Sequence, residues 1–249
     1  VSRAPPETIW PIYIAAPLMA WLGQRAPLDA AAVEPPLRER IFEWPIGYVV
    51  IHLDLIESHG PTQQELIGYF NQLDDLLCPY TIEGDAVVYR TRWHPDGCPP
   101  RTPPQDGDGA YVVDVGSPDD LRYIGWGWHR PEAIFDVTLR WAGEYPQADV
   151  YVDLPPGGYA LTVTAQAFWE PRELRLLVND QPVGEPVTVI VDGLQDFSFT
   201  IPADLIGDGQ HVRVALVYDG VLVPVEIGQS ADERRLSVAV DRLRFQPLD

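Results

Sequence analysis

Four stretches in the second half of the chain alternate apolar and polar residues with period two: 160–167, 173–178, 197–201 and 211–216. Strict alternation places one set of side chains in a core and the other in water, the pattern of half-buried strands. Turn-forming residues separate them: Pro155-Pro156-Gly157-Gly158, Asn179-Asp180, Gly184, Gly207-Asp208-Gly209 and Asp219-Gly220. Many short strands at this spacing predict a sandwich or barrel over 148–245. A further strand is expected over 134–141, with Phe135, Val137, Leu139 and Trp141 on one face. Tyr111-Val112-Val113-Asp114-Val115 opens the β-rich part. In the last strand Leu236, Val238 and Val240 share one parity, whereas Leu243 and Phe245 have the other. Both sets can face one core only across an inserted residue, so a β-bulge is expected near Val240-Asp241.

The first half reads differently. The run 48–53 is continuously apolar and β-branched, as in a strand buried on both faces. Thr62-Gln63-Gln64-Glu65 matches a capping box, and Leu66, Phe70, Leu73 and Leu77 follow at helical spacing. A helix over 62–77 is expected, stopped by Pro79. Runs 80–82 and 86–90 flank Glu83-Gly84-Asp85 as a hairpin. Short helical turns are expected after Pro17 and over 37–44. The fold class is therefore α+β: an α/β unit over 1–100 with its strand-helix-hairpin core at 46–92, a proline-rich linker at 101–109, and an antiparallel β-sandwich or barrel over 110–249.

Composition narrows the partners. The 249 residues carry a formal net charge of −20, and all 17 basic residues are arginine. A surface this acidic repels nucleic acid and anionic lipid, so no nucleic-acid partner is expected. The absence of lysine fits a GC-rich bacterial genome. The chain starts at Val1 with no signal-peptide pattern, and the apolar run 9–22 is broken by Pro11 and Pro17. It reads as a piece of a longer protein.

Candidate chemistry is sparse. His52, Asp54, Glu57 and His59 lie close together but match no standard ligand spacing. Asp106-Gly107-Asp108-Gly109 fails the EF-hand pattern, because Tyr111 and Ser117 stand where glycine and glutamate are needed. A structural calcium site using Asp114, Asp119 and Asp120 is the remaining metal candidate. Glu132, Glu144 and Glu170 are carboxylates near aromatic residues, the raw material of glycoside hydrolysis. No nucleophile elbow or phosphate loop occurs, and no catalytic motif is found. The most unusual cluster is Trp126, Trp128, His129 and Glu132. Aromatic rings stack on the apolar faces of sugars and carboxylates accept sugar hydroxyls, so these four are the candidate ligand-binding residues. The alternative is that both tryptophans are core aromatics sealing one end of the sandwich.

Two resemblances bear on function. The run Tyr48-Val49-Val50-Ile51-His52, the helix after it and Glu83-Gly84-Asp85-Ala86-Val87-Val88-Tyr89-Arg90 resemble the extracytoplasmic C-terminal part of bacterial polytopic membrane glycosyltransferases, over about residues 41–92. The catalytic loop of those enzymes lies outside this sequence, so no catalytic residue is transferred. Gly125-Trp126-Gly127-Trp128-His129-Arg130-Pro131-Glu132 and Leu177-Val178-Asn179-Asp180 resemble jelly-roll domains appended to glycan-handling proteins, over about 110–245.

The resemblances imply a jelly-roll-like antiparallel β-sandwich over 110–249 and a non-catalytic extracytoplasmic accessory domain. It would be tethered through a membrane region outside this sequence, with glycan and the parent membrane domain as partners. An independent secreted carbohydrate-binding module and a glycan hydrolase using loop carboxylates are the alternatives. Cys78 and Cys98 are the only cysteines, and an extracytoplasmic setting permits their oxidation to a disulfide.

Overall fold

The computed structural model describes residues 38–39, 47–53, 62–73, 75–84, 86–134, 136–209 and 211–248. The chain divides into two compact units, Val1–Cys98 and Pro99–Asp249. Among the described residues no helix is long and apolar enough to cross a membrane.

In the first unit, strands β1 (Tyr48–His52), β2 (Leu77–Glu83) and β3 (Ala86–Thr91) form a sheet of order β1-β3-β2, and helix α1 (Thr62–Gln72) lies between β1 and β2 in the chain. Phe70 of α1 meets the Tyr89 ring edge-on at 5.5 Å, and the Tyr89 hydroxyl donates to Asn71 Oδ1 at 3.1 Å. A disulfide joins Cys78 to Cys98 across 20 residues. Closing such a loop contributes on the order of 3 kcal/mol.

Three expectations for this unit need correction. Helix α1 stops at Gln72, and Leu77 starts a strand instead. Leu73 and Leu77 are both buried, so the 3.6-residue spacing is satisfied by a helix end and a strand start in turn. Pro79 lies inside β2, next to a register shift on an edge strand, where its missing N–H breaks no ladder. Strand β1 is also an edge, with Tyr48 44% and Val50 46% exposed rather than buried on both faces. The Thr62 side chain of the capping box lies outside the described residues. So do the turns expected over 1–44, apart from Arg38 and Glu39.

The second unit is a jelly-roll-like antiparallel β-sandwich. Its strands are β4 (Tyr111–Asp114), β5 (Trp128–Ile134), β6 (Val137–Ala142), β7 (Gln147–Val152), β8 (Tyr159–Ala167), β9 (Arg172–Val178), β10 (Gln181–Val189), β11 (Gln195–Ile201), β12 (Val212–Tyr218) and β13 (Val238–Pro247), with a one-turn helix α2 (Ala203–Ile206). One sheet has the order β10-β9-β12-β7 and the other β11-β8-β13-β6-β5, with β4 also on β13. The alternating residues Leu161, Val163, Leu174, Leu176, Val214, Leu216, Val238 and Leu243 meet between the sheets, each at most 1% exposed. Asn179 (φ 48°) and Asp180 (φ 66°) turn β9 into β10 with the paired positive φ of a type I′ hairpin. The register of β13 on β8 shifts between Val240 and Arg242, which lets Val240 and Leu243 both reach the core.

Two stretches depart from expectation. The run 134–141 is a hairpin, not one strand, because Ile134 pairs with Val137. Phe135 lies outside the described residues. Residues 101–109 are not a loose linker. Arg101 is buried and its amide donates to Asp153 Oδ2 at 2.5 Å, while Arg244 Nε donates to Asp106 Oδ2 at 2.7 Å. Asp106 Oδ1 accepts the amides of Asp108 and Ala110, so the acidic loop folds on its own backbone.

The largest fully buried side chain is Arg140 on β6. Its Nε and Nη2 grip Asp120 Oδ2 and Oδ1 at 2.5 and 2.8 Å, and Nη1 donates to the His129 carbonyl at 2.9 Å. Asp120 Oδ2 also accepts the Gly116 amide. A buried ion pair adds little over apolar isosteres, but one partner alone is costly. Asp120→Ala is therefore expected to lower stability by about 3–5 kcal/mol, and adding Arg140→Met should restore most of it. Urea melts of the single and double variants check this; a single variant losing less than about 1 kcal/mol would contradict it.

Candidate functional site

Register fixes which loops share an end of the sandwich. Trp128 pairs with Ala142, Val217 with Gln147, Leu174 with Tyr218, and Ala167 with Val238. The start of β5, the 143–146 turn, the 168–171 turn and the 219–237 loop therefore gather at one end. The turn after β10 joins them, since Val189 pairs with Arg172 and the Ala167 amide donates to the Ile190 carbonyl.

The four sequence-predicted residues separate here. Trp128 is 3% exposed, and its indole N–H donates to the Asp149 carbonyl at 2.8 Å. Its ring is core, with its polar edge satisfied inside. Trp126 is half-buried, edge-on to Tyr145 at 5.3 Å. It lies outside β5, because Gly127 turns the chain at φ 89°, so strand parity does not pair it with Trp128. The glycines have a structural reason. Segment 123–126 runs along β7 as an added edge, with amide donations Gly125 to Asp149 O, Asp149 to Trp126 O and Tyr151 to Tyr123 O. A Cβ on Gly125 would stand 2.6 Å from the Tyr151 ring, and one on Gly127 2.0 Å from the Gln147 carbonyl.

His129 is 6% exposed, with Nε2 donating to the Arg235 carbonyl at 2.8 Å. Burial is the main cause that holds its imidazole below the ordinary 6.5, and Arg234 adds to the effect. Glu132 is held by Arg234 Nη1 at 2.5 Å, and the Arg234 Nε and Nη2 edge faces Asp232. Burial also raises the Tyr218 phenol, whose hydroxyl donates to the Tyr145 carbonyl. Glu144 lies near both His129 and Tyr218.

The other candidates are placed as follows. Both oxygens of Asp120 face Arg140 and the Gly116 amide, so it is not presented to a calcium ion. Asp114 and Asp119 are exposed. Among the described residues no group of three His, Cys, Asp or Glu side chains is arranged to hold a metal. His52 is exposed; Asp54, Glu57 and His59 lie outside the described residues.

The feature not foreseen is Trp169. The residue is 55% exposed, the most exposed of the large hydrophobic residues described. Its backbone has φ 63°, and the Glu170 amide donates across it to the Phe168 carbonyl at 2.7 Å. This is a γ-turn of the rare positive-φ kind. Holding a bulky residue there costs on the order of 1–3 kcal/mol. The turn is anchored on both sides. Phe168 packs edge-on against Trp141 at 5.6 Å, beside Leu139, Leu236 and Ala239. On the other side Glu170 binds Arg172 Nη1 at 2.6 Å, and Pro171 stiffens the step between them. Trp169 is thus held outward by its neighbours. Its only sequence signal was Phe168-Trp169-Glu170-Pro171, an aromatic turn without glycine or asparagine between two clear strands.

The His129 environment sets a pH dependence. The folded state keeps the ring neutral after the unfolded chain has taken up a proton. Its contribution is complete above about pH 6.5 and is lost as pH falls through the depressed folded value. The urea midpoint should decline as pH falls below about 6.5, and His129→Gln should flatten that decline. Equal slopes in the two proteins would contradict this.

Neither a protein-family model nor a curated protein matches the chain. Among solved structures it is similar to the GH26-CBM35 β-(1,4)-mannanase of Podospora anserina, at 9% identity over 57% of this chain and 28% of that one, TM-score 0.36. It is also similar to CBM6-3 of Clostridium stercorarium, solved in complex with cellobiose, at 14% identity over 55% of this chain and 93% of that one, TM-score 0.35. A third is the CBM36-1 domain of a multidomain xylanase from the hindgut metagenome of Trinervitermes trinervoides, at 10% identity over 56% and 98%, TM-score 0.36. These likenesses concern fold alone, and no residue or ligand is carried over from them.

Proposed function

We propose that the sandwich is a non-catalytic carbohydrate-binding domain that contacts glycan at the end carrying Trp169. The single supporting observation is the outward indole on its strained, doubly anchored turn. An exposed aromatic face fixed before binding can stack on the C–H face of a sugar with little ordering cost. Strain held at an exposed aromatic is a reason to look for function there, since folding alone gains nothing from it. Trp126 and Tyr145 at the same end offer a second aromatic edge.

The finer reading is an extracytoplasmic accessory domain of a membrane glycosyltransferase-like protein. The Cys78–Cys98 disulfide supports an oxidising compartment. The resemblance over 41–92 supports the enzyme association. The hydrolase alternative has less support, because Glu132 and Glu170 are each engaged by an arginine.

Trp169→Gly separates binding from folding. Glycine adopts positive φ freely, so the variant should gain roughly 1 kcal/mol of stability in a thermal melt while losing saccharide retention on a glycan array. A destabilised variant, or one that keeps its array profile, would sink the proposal.

A further inference from the structure

Arginines show their chemistry here by which edge of the guanidinium is used. Nε and Nη2 form the side-on fork that meets two adjacent oxygens at once. In Arg140 that fork holds both oxygens of Asp120, and in Arg234 it holds Asp232. Arg172 is different. Its side chain is 8% exposed, and only Nη1 is engaged, by Glu170. Nε and Nη2 are both buried without a hydrogen-bond partner. Among the described residues no other arginine leaves two buried nitrogens unmatched. A buried donor left unmade is expensive, and a charged one more so.

The backbone comes close to this group on its engaged Nη1 side. Gly220 needs no special backbone angle, yet a Cβ there would stand 3.1 Å from Arg172 Nη1. The Trp169 turn is tied to the same guanidinium through Glu170. Asp219 accepts the Glu173 amide one residue beyond. The charge of Arg172 is thus already matched by Glu170, with Asp219 beside it on a chain of net charge −20. A ligand carboxylate or sulfate entering here would meet that negative field. Two neighbouring hydroxyl oxygens would not. They can accept from Nε–H and Nη2–H while a hydroxyl hydrogen is donated to Glu170.

Resting on the carbohydrate-binding reading, we propose that Arg172 is the specificity-determining residue of the Trp169 site, and that it reads a pair of adjacent hydroxyls on a neutral sugar ring. Trp169 supplies the stacking face and the Arg172 fork the polar readout. The fork is closed off from solvent, so the Arg172 side chain must swing out beside the anchored Trp169 turn for the sugar to reach it. Anionic glycans are rejected.

The test is titration calorimetry of the whole chain with cellotriose, mannotriose and trigalacturonate. The variants are Arg172→Lys, which keeps the charge and loses the fork, and Gly220→Ala, which crowds the guanidinium and leaves it in place. The wild type should bind a neutral trisaccharide and prefer it to trigalacturonate. Each variant should weaken neutral binding by about tenfold or more, as the loss of a charged hydrogen bond does, with thermal melts close to wild type for Gly220→Ala. Neutral binding that depends on Trp169 but survives both variants would overturn the role of Arg172 alone. Tighter binding of trigalacturonate would overturn the neutral-ligand assignment alone. No binding of any saccharide by the wild type would remove the carbohydrate-binding reading and this inference with it.

Discussion

The buried contact between Arg140 and Asp120 is the constraint on which this end of the sandwich depends. One guanidinium binds the 3₁₀ turn Pro118–Arg122 through Asp120 and strand β5 through the His129 carbonyl. With those two fixed, the segment between them must cross β7, and it does so as an added edge through Ile124 and Val150. That crossing buries Trp128 and Asp149 and brings Trp126 to Tyr145. All three guanidinium nitrogens of Arg140 are matched within the fold, so the contact specifies one arrangement.

A few tens of residues away the same chemistry is left open. Arg172 has a burial similar to that of Arg140 but an unmatched fork, and beside it Trp169 occupies a backbone conformation that tryptophan disfavours. Neither feature helps the molecule fold. Proteins satisfy local preferences nearly everywhere and depart from them where function requires. Both departures fall within four residues of each other, in a turn whose flanks are firmly anchored. This is why we propose the binding surface there and not at the larger aromatic cluster of 126–129.

The β architecture was legible in the chain because period-two alternation and hairpin chemistry are local. Asn179-Asp180 forms the turn its residues favour, and the parity change between Val240 and Leu243 appears as a bulge. Strand β10 was not legible, since Pro182, Gly184 and Pro186 blur its alternation and an edge strand tolerates them. Leu73 and Leu77 fit helical spacing equally well whether the chain continues or turns, and only β3 decides. The two glycines of 125–127 were compatible with a ligand or with a strand crossing; the carbonyl of Gln147 selects the crossing. Trp169 stayed hidden because exposure and φ are properties of the packed turn, not of its composition.

The most direct measurement is fluorine NMR of the chain labelled with 5-fluorotryptophan, titrated with a neutral trisaccharide. Its resonances would be assigned by substituting each of the 8 tryptophans in turn. If the sandwich contacts glycan through the strained turn, the Trp169 signal moves with saccharide concentration while those of Trp128 and Trp141 stay still. A stationary Trp169 signal, with saccharide-dependent shifts confined to other tryptophans, would contradict that assignment.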